Sequence, residues 1–164
     1  MPNTPISELL MQKLVNRLDR IQGGVDYFNT LAVAVQRYTH TWDKEEHVVV
    51  SLAETPGIIL RTLLGGSTGA ESGIHQNSMT VEITFYFRGN SAGDTEIHQA
   101  RHDVEKAVFT DLSGNPDEHF DSNVKTWEWG WETFDLEAQM PIDGLKANLS
   151  VVFDTAIGDP AAAA

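Results

Sequence analysis

His98 and His102 stand four residues apart in a stretch, Thr95 to Leu112, whose apolar residues Ile97, Ala100, Val104, Val108 and Leu112 recur with a helical period. Residues four apart on a helix project from the same side, and two histidines so placed are half of a zinc site. Glu105, on a nearby face, is a candidate third ligand. The residues between the histidines are Gln-Ala-Arg, so the glutamate base of a His-Glu-x-x-His hydrolase is missing. The competing reading is a solvated helix face with two histidines among charges, since a site needs three or four converging ligands. On this reading no metal or other cofactor is assigned.

A second cluster, Asp117, Glu118, His119 and Asp121, follows Gly114-Asn115-Pro116. Spaced oxygens in a loop can hold calcium, but the EF-hand loop requires glycine at its sixth position and glutamate at its twelfth. Counted from Asp117, those positions are Ser122 and Glu128, so only the last fits. The cluster reads as an acidic turn. No phosphate-binding glycine loop or dinucleotide fingerprint is present, and no Ser, His and acid are grouped locally. The chain is therefore read as something other than an enzyme.

Trp127, Trp129 and Trp131 fall on one face of an extended strand, with Glu128, Gly130 and Glu132 on the other. Beyond Thr133 the apolar parity switches to Phe134, Leu136 and Ala138, which suggests a bulge near Gly130 or a strand that leaves its sheet. Three aligned aromatics can stack on sugars, fill a core or fill a subunit interface. A carbohydrate-binding module would use them as its platform.

These residues sit within a recognisable order of elements. Ile6, Leu9, Leu10, Leu14, Leu18 and Ile21 mark a helix over about 5–22, with Thr4 placed to cap it and Pro5 at its first position. Gly23-Gly24 supplies the left-handed conformation that stops a helix. Strands are expected at about 31–42, 47–54, 79–88, 124–139 and 145–154, and a second helix at about 95–112, capped by Asp94 and ended by Gly114. The strand Met79–Arg88 alternates apolar and polar residues without a break, the mark of a sheet with one face in a core. Residues 55–77 read as a long loop, because Ile58, Ile59, Leu60, Leu63 and Leu64 run into Gly65-Gly66-Ser67-Thr68-Gly69. That apolar run is either a core strand before a floppy loop or an arm that is buried against a partner. The expected fold is α+β: a mostly antiparallel or mixed β-sheet with two helices packed on one face. One domain is expected over 1–158, with a disordered tail at 159–164.

The chain has 164 residues, no cysteine, and a formal charge of −13 from 11 Lys plus Arg and 24 Asp plus Glu. Disulfides and thiolate metal sites are excluded. So acidic a surface repels nucleic acid and anionic membranes. No apolar run approaches the roughly 20 residues that cross a bilayer, and no basic-then-apolar leader is visible at the start. Membrane association is not expected.

The segment Arg17 to Arg37, RLDRIQGGVDYFNTLAVAVQR, resembles the amino-terminal signature of tail terminator proteins from long-tailed bacteriophages. The likeness at residue level lies around 14–38, while the element order extends it over most of the chain. It implies a sheet flanked by helices that assembles as a homo-oligomeric ring, a hexamer. Such a ring sits at the head-proximal end of the tail, ends polymerisation of the tail tube protein and meets a head connector protein. It is made in the host cytoplasm and carried in the virion. Six copies would carry six times −13, or −78, so that DNA passes through without binding. A neck or head–tail completion protein is the neighbouring alternative. The candidate subunit interface is Ile58, Ile59, Leu60, Leu63, Leu64, Trp127, Trp129 and Trp131.

Overall fold

The computed structural model describes residues 3–38, 52–68, 73–88, 94–135 and 142–163. The fold is α+β. Helix α1 (Ile6–Leu18) is followed by the short strand β1 (Gln36–Tyr38) and the long hairpin strands β2 (Gly57–Thr68) and β3 (Ile74–Arg88). Helix α2 (Thr95–Val108) precedes strands β4 (Val124–Asp135), β5 (Ile142–Ala156) and β6 (Asp159–Ala163). The described strands form one mixed sheet in the order β1-β2-β3-β5-β4, with β6 added to the end of β5. Among the described strands only β1 against β2 is parallel; the other pairings are antiparallel.

Rows of directly opposed residues cross this sheet, and they explain the core. One row is Ile58, Phe85 and Leu145; the next is Leu60, Ile83, Ala147 and Trp131; a third is Val81, Leu149 and Trp129. Both helices lay their apolar stripes on this face, so that Leu10, Leu14, Leu18, Ala100, Val104 and Ala107 join the same buried cluster. The opposite face carries polar rows: Arg61, Glu82, Asn148 and Gly130 in one, and Thr80, Ser150 and Glu128 in another.

Several expectations change. Residues 55–77 are not a long loop: β2 runs through Gly65 and Gly66 to Thr68, and β3 begins at Ile74. Ladder pairing with Met79 and Ser78 holds those glycines extended despite their poor strand propensity. The apolar run is accordingly a core strand, with Ile58, Ile59 and Leu60 buried inside the protomer and Leu63 exposed beside a register shift between Thr62 and Leu64. The tail at 159–163 is strand β6, turned back on β5 through Gly158 at φ 78°. Residues 52–54 form a 3-10 turn rather than the end of a strand. The rest of the strand expected at 47–54, the end of that at 31–42, and residues 136–139 lie outside the described residues.

Helix ends differ for local reasons. Pro5 is the N-cap of α1, its carbonyl accepting from Leu9 N at 3.1 Å, and no side chain caps that end. The helix stops at Leu18, and Gly23 and Gly24 instead turn the following segment at φ 67° and 78°. A β-carbon on Gly23 would lie 2.6 Å from Thr30 Oγ1, so close approach demands glycine there as well as the backbone sign. Helix α2 ends at Val108, and Gly114 serves a separate turn. Asp94 is its N-cap without a side-chain capping bond.

Candidate functional site

The helix face of the sheet ends, on one side, in an aromatic edge built by β4 and α2. Because Trp127, Trp129 and Trp131 lie opposite Val151, Leu149 and Ala147, they are in phase with the core rows. Their rings continue the apolar face outward beneath one flank of α2. Phe109, at the end of that helix, meets Trp127 at 4.6 Å and Trp129 edge-on at 5.5 Å. Trp129 Nε1 donates to Glu105 Oε1 at 3.0 Å, and Arg101 Nε donates to the same oxygen at 2.9 Å. The Arg101 guanidinium lies 4.6 Å from the Trp131 ring centre, within cation–π range. Trp127 Nε1 donates to the Glu118 carbonyl at 2.7 Å. The indoles are thus oriented, yet Trp127 remains 38 % and Trp131 37 % exposed, while Trp129 is half-buried.

The register of β4 runs unbroken from Thr126 to Asp135, so the bulge expected near Gly130 lies instead between Val124 and Thr126. Phe134 is paired with Gly144 within the same unbroken ladder. Beside Trp127 a shallow hollow is lined by Phe109, Pro116, Asp117, Glu118 and His119.

The histidines and their candidate partner part company. His98 Nε2 reaches back to Asp94 at 3.1 Å, His102 Nδ1 lies 3.2 Å from Asp103 Oδ1, and Glu105 faces the tryptophans. Among the described residues no three His, Cys, Asp or Glu side chains converge on one point. The acidic turn faces α1: Asp117 pairs with Arg17, and Asp121 pairs with Lys13. Burial pushes the Asp121 carboxyl up, but the Lys13 ammonium and the Asn123 amides outweigh it and hold it below the ordinary value. Two cations four apart on a helix thus meet two carboxylates four apart in a turn, a match visible in the sequence only once the partners are known.

The roles of several charged residues went unseen in the sequence. Arg17, 2 % exposed, lies over the Phe120 ring at 5.0 Å and donates to the Val108 carbonyl at the end of α2. Arg20 donates to the carbonyls of Ala107, Thr110 and Asp111. Arg17 and Arg20 thereby satisfy carbonyls at and just beyond the end of α2. Asp103, fully buried on α2, accepts from Phe28 N at 2.9 Å and from Asn29 N at 2.8 Å. Asp19 accepts from Val35 N at 2.7 Å. The Arg17–Arg37 segment is pinned by Asp19, just past the end of α1, and by Asp103 of α2.

A Gly-x-Ser-x-Gly motif was not expected, yet Gly65-Gly66-Ser67-Thr68-Gly69 has that spacing. A nucleophile elbow needs the serine on a turn between strand and helix; Ser67 instead lies within β2, opposite Asn77. Among the described residues no helix is long and apolar enough to cross a membrane. Compared with protein-family models and with curated proteins, the chain matches none.

Proposed function

We propose that this chain is a structural subunit of a bacteriophage tail, a tail terminator whose copies close into a ring at the head-proximal end of the tail tube. The observation that carries the reading is the segment around residues 14–38. It is where the likeness resides, and it forms one pinned unit: the end of α1, the glycine turn, the Asp19 and Asp103 staples and strand β1. A sheet with two helices on one face agrees with the fold that the likeness implies. Val25 and Phe28, held out to solvent on that turn, and the exposed rings of Trp127 and Trp131 offer apolar surface for neighbours. Ring formation is expected to be head-to-tail, because these patches lie on opposite flanks of α2 and differ from one another.

Light scattering on the purified chain, with negative-stain imaging, tests the reading. A closed ring of six copies is the expected result. A monomer at every concentration, also in the presence of tail tube protein, would remove it.

A further inference from the structure

Among the described residues, β4 is bonded on one side only. Its ten residues from Thr126 to Asp135 pair in register with β5, and among the described residues no strand pairs its other side. An open strand of this length, without proline, is a template for another chain. Its two faces differ in chemistry: half-exposed Trp127 and Trp131 toward the helices, exposed Glu128 and Glu132 on the polar side.

Between those glutamates lies Gly130. No atom lies within 4 Å of where a β-carbon would stand on it, so there is a notch in the row. The residue opposite, Asn148, has its side-chain oxygen buried and without a hydrogen-bond partner among the described residues. The row of which it is part reads Arg61, Glu82, Asn148, Gly130, and Arg61 pairs with Glu82 at 2.9 Å. A notch flanked by two carboxylates is complementary to a cation.

We infer that the free edge of β4 takes up an extended, basic segment of a partner protein as an added strand, with a Lys or Arg seated over Gly130. Backbone ladder bonds supply affinity, and alternate side chains supply specificity. The partner's residue opposite Gly130 lies between Glu128 and Glu132. Its flanking residues turn the other way and pack on Trp127 and Trp131, whose rings are already oriented by Glu118 and Arg101. Prior orientation reduces the entropy lost on binding. A second copy of this chain is the poorer occupant, because a net −13 on each adds repulsion at an acidic edge. Docking here does not depend on ring formation, and the two can fail separately.

The test uses the full chain and synthetic peptides of about ten residues, long enough to span the strand. One peptide alternates Val with Lys, a second alternates Val with Glu, and a third scrambles the first. The basic alternating peptide is expected to change tryptophan fluorescence and bind at least about tenfold tighter than either control. It should slow amide exchange at alternate positions of 126–134, and weaken as salt rises. Gly130→Val fills the notch and should reduce binding about tenfold or more while leaving thermal unfolding unchanged. Glu128→Lys with Glu132→Lys should shift preference to the acidic peptide. Equal binding of the three peptides, or fluorescence change without slowed exchange along β4, would overturn the proposal. So would fluorescence change with soluble β-glucans but not with the basic peptide, or self-association that the charge reversal abolishes.

Discussion

Asn29 and Asp103 meet through two hydrogen bonds to one oxygen: the backbone N and the side-chain Nδ2 of Asn29 each lie 2.8 Å from Oδ2 of Asp103. The other carboxylate oxygen takes Phe28 N at 2.9 Å. A turn far from α2 in sequence is thereby held to it by a fully buried acid. Asp103→Ala leaves three donors without their acceptor, and hydrogen bonds to charged groups contribute about 1.5–3 kcal/mol each at most. We expect a loss of about 2–3 kcal/mol in chemical denaturation. Amide exchange at Phe28 and Asn29 should rise sharply in the variant; unchanged protection there would contradict the staple.

The paired glycines should respond differently to the same change. Both have positive φ, but only Gly23 lacks room, with Thr30 Oγ1 at 2.6 Å from an added β-carbon; Gly24 has no atom within 4 Å. Gly24→Ala should destabilise by about 1 kcal/mol from backbone conformation alone. Gly23→Ala should destabilise by about 2–3 kcal/mol, since the clash adds to the same strain. Thermal unfolding of the two variants side by side checks the difference, and equal losses would show that the contact with Thr30 relaxes freely.

Leu60 and Leu63 separate core from surface within one apolar run. Leu60 is fully buried between Ile83 and the helices, whereas Leu63 is exposed. Leu60→Ala should cost about 2–5 kcal/mol, as large-to-small core changes do. Leu63→Ala should fall within about 0.5 kcal/mol of the parent. Denaturant midpoints of both variants test the assignment of this run to the core rather than to a contact arm.

Acid should weaken the docking of the 117–123 turn. The Asp121 carboxyl sits below its ordinary value of 3.8, because the Lys13 and Asn123 bonds outweigh the opposing effect of burial. A depressed carboxyl contributes stability that is fully present above the unfolded value and is lost as pH falls through the folded one. Unfolding free energy should therefore decline as pH drops below about 4. Asp121→Asn should be less stable at neutral pH and show a shallower acid decline. An acid profile identical to the parent's would remove Asp121 from the explanation.

The helices, the strand Met79–Arg88 and the α+β class were legible in the sequence because burial periodicity is local: a stripe at Leu10, Leu14 and Leu18, or an alternation from Met79 to Phe87, reports which face meets a core without naming the partner. The glycine-rich half of β2 was not legible, since Gly65 and Gly66 have little strand preference of their own and are held by pairing with Met79 and Ser78. Nor were the roles of Arg17 and Asp103, ordinary polar residues on helices until a carbonyl from α2 and two amides from a distant turn converge on them. The tryptophans were visible as a run, but whether they faced a core, a partner or water depended on register. Pairing with Val151, Leu149 and Ala147 puts them on the core side, and the position of β4 at the end of the sheet leaves two of them half in solvent. Composition and spacing determine which surfaces must be hidden; which strand lies at the edge, and which charge lies under a helix end, is decided by contacts between residues far apart along the chain.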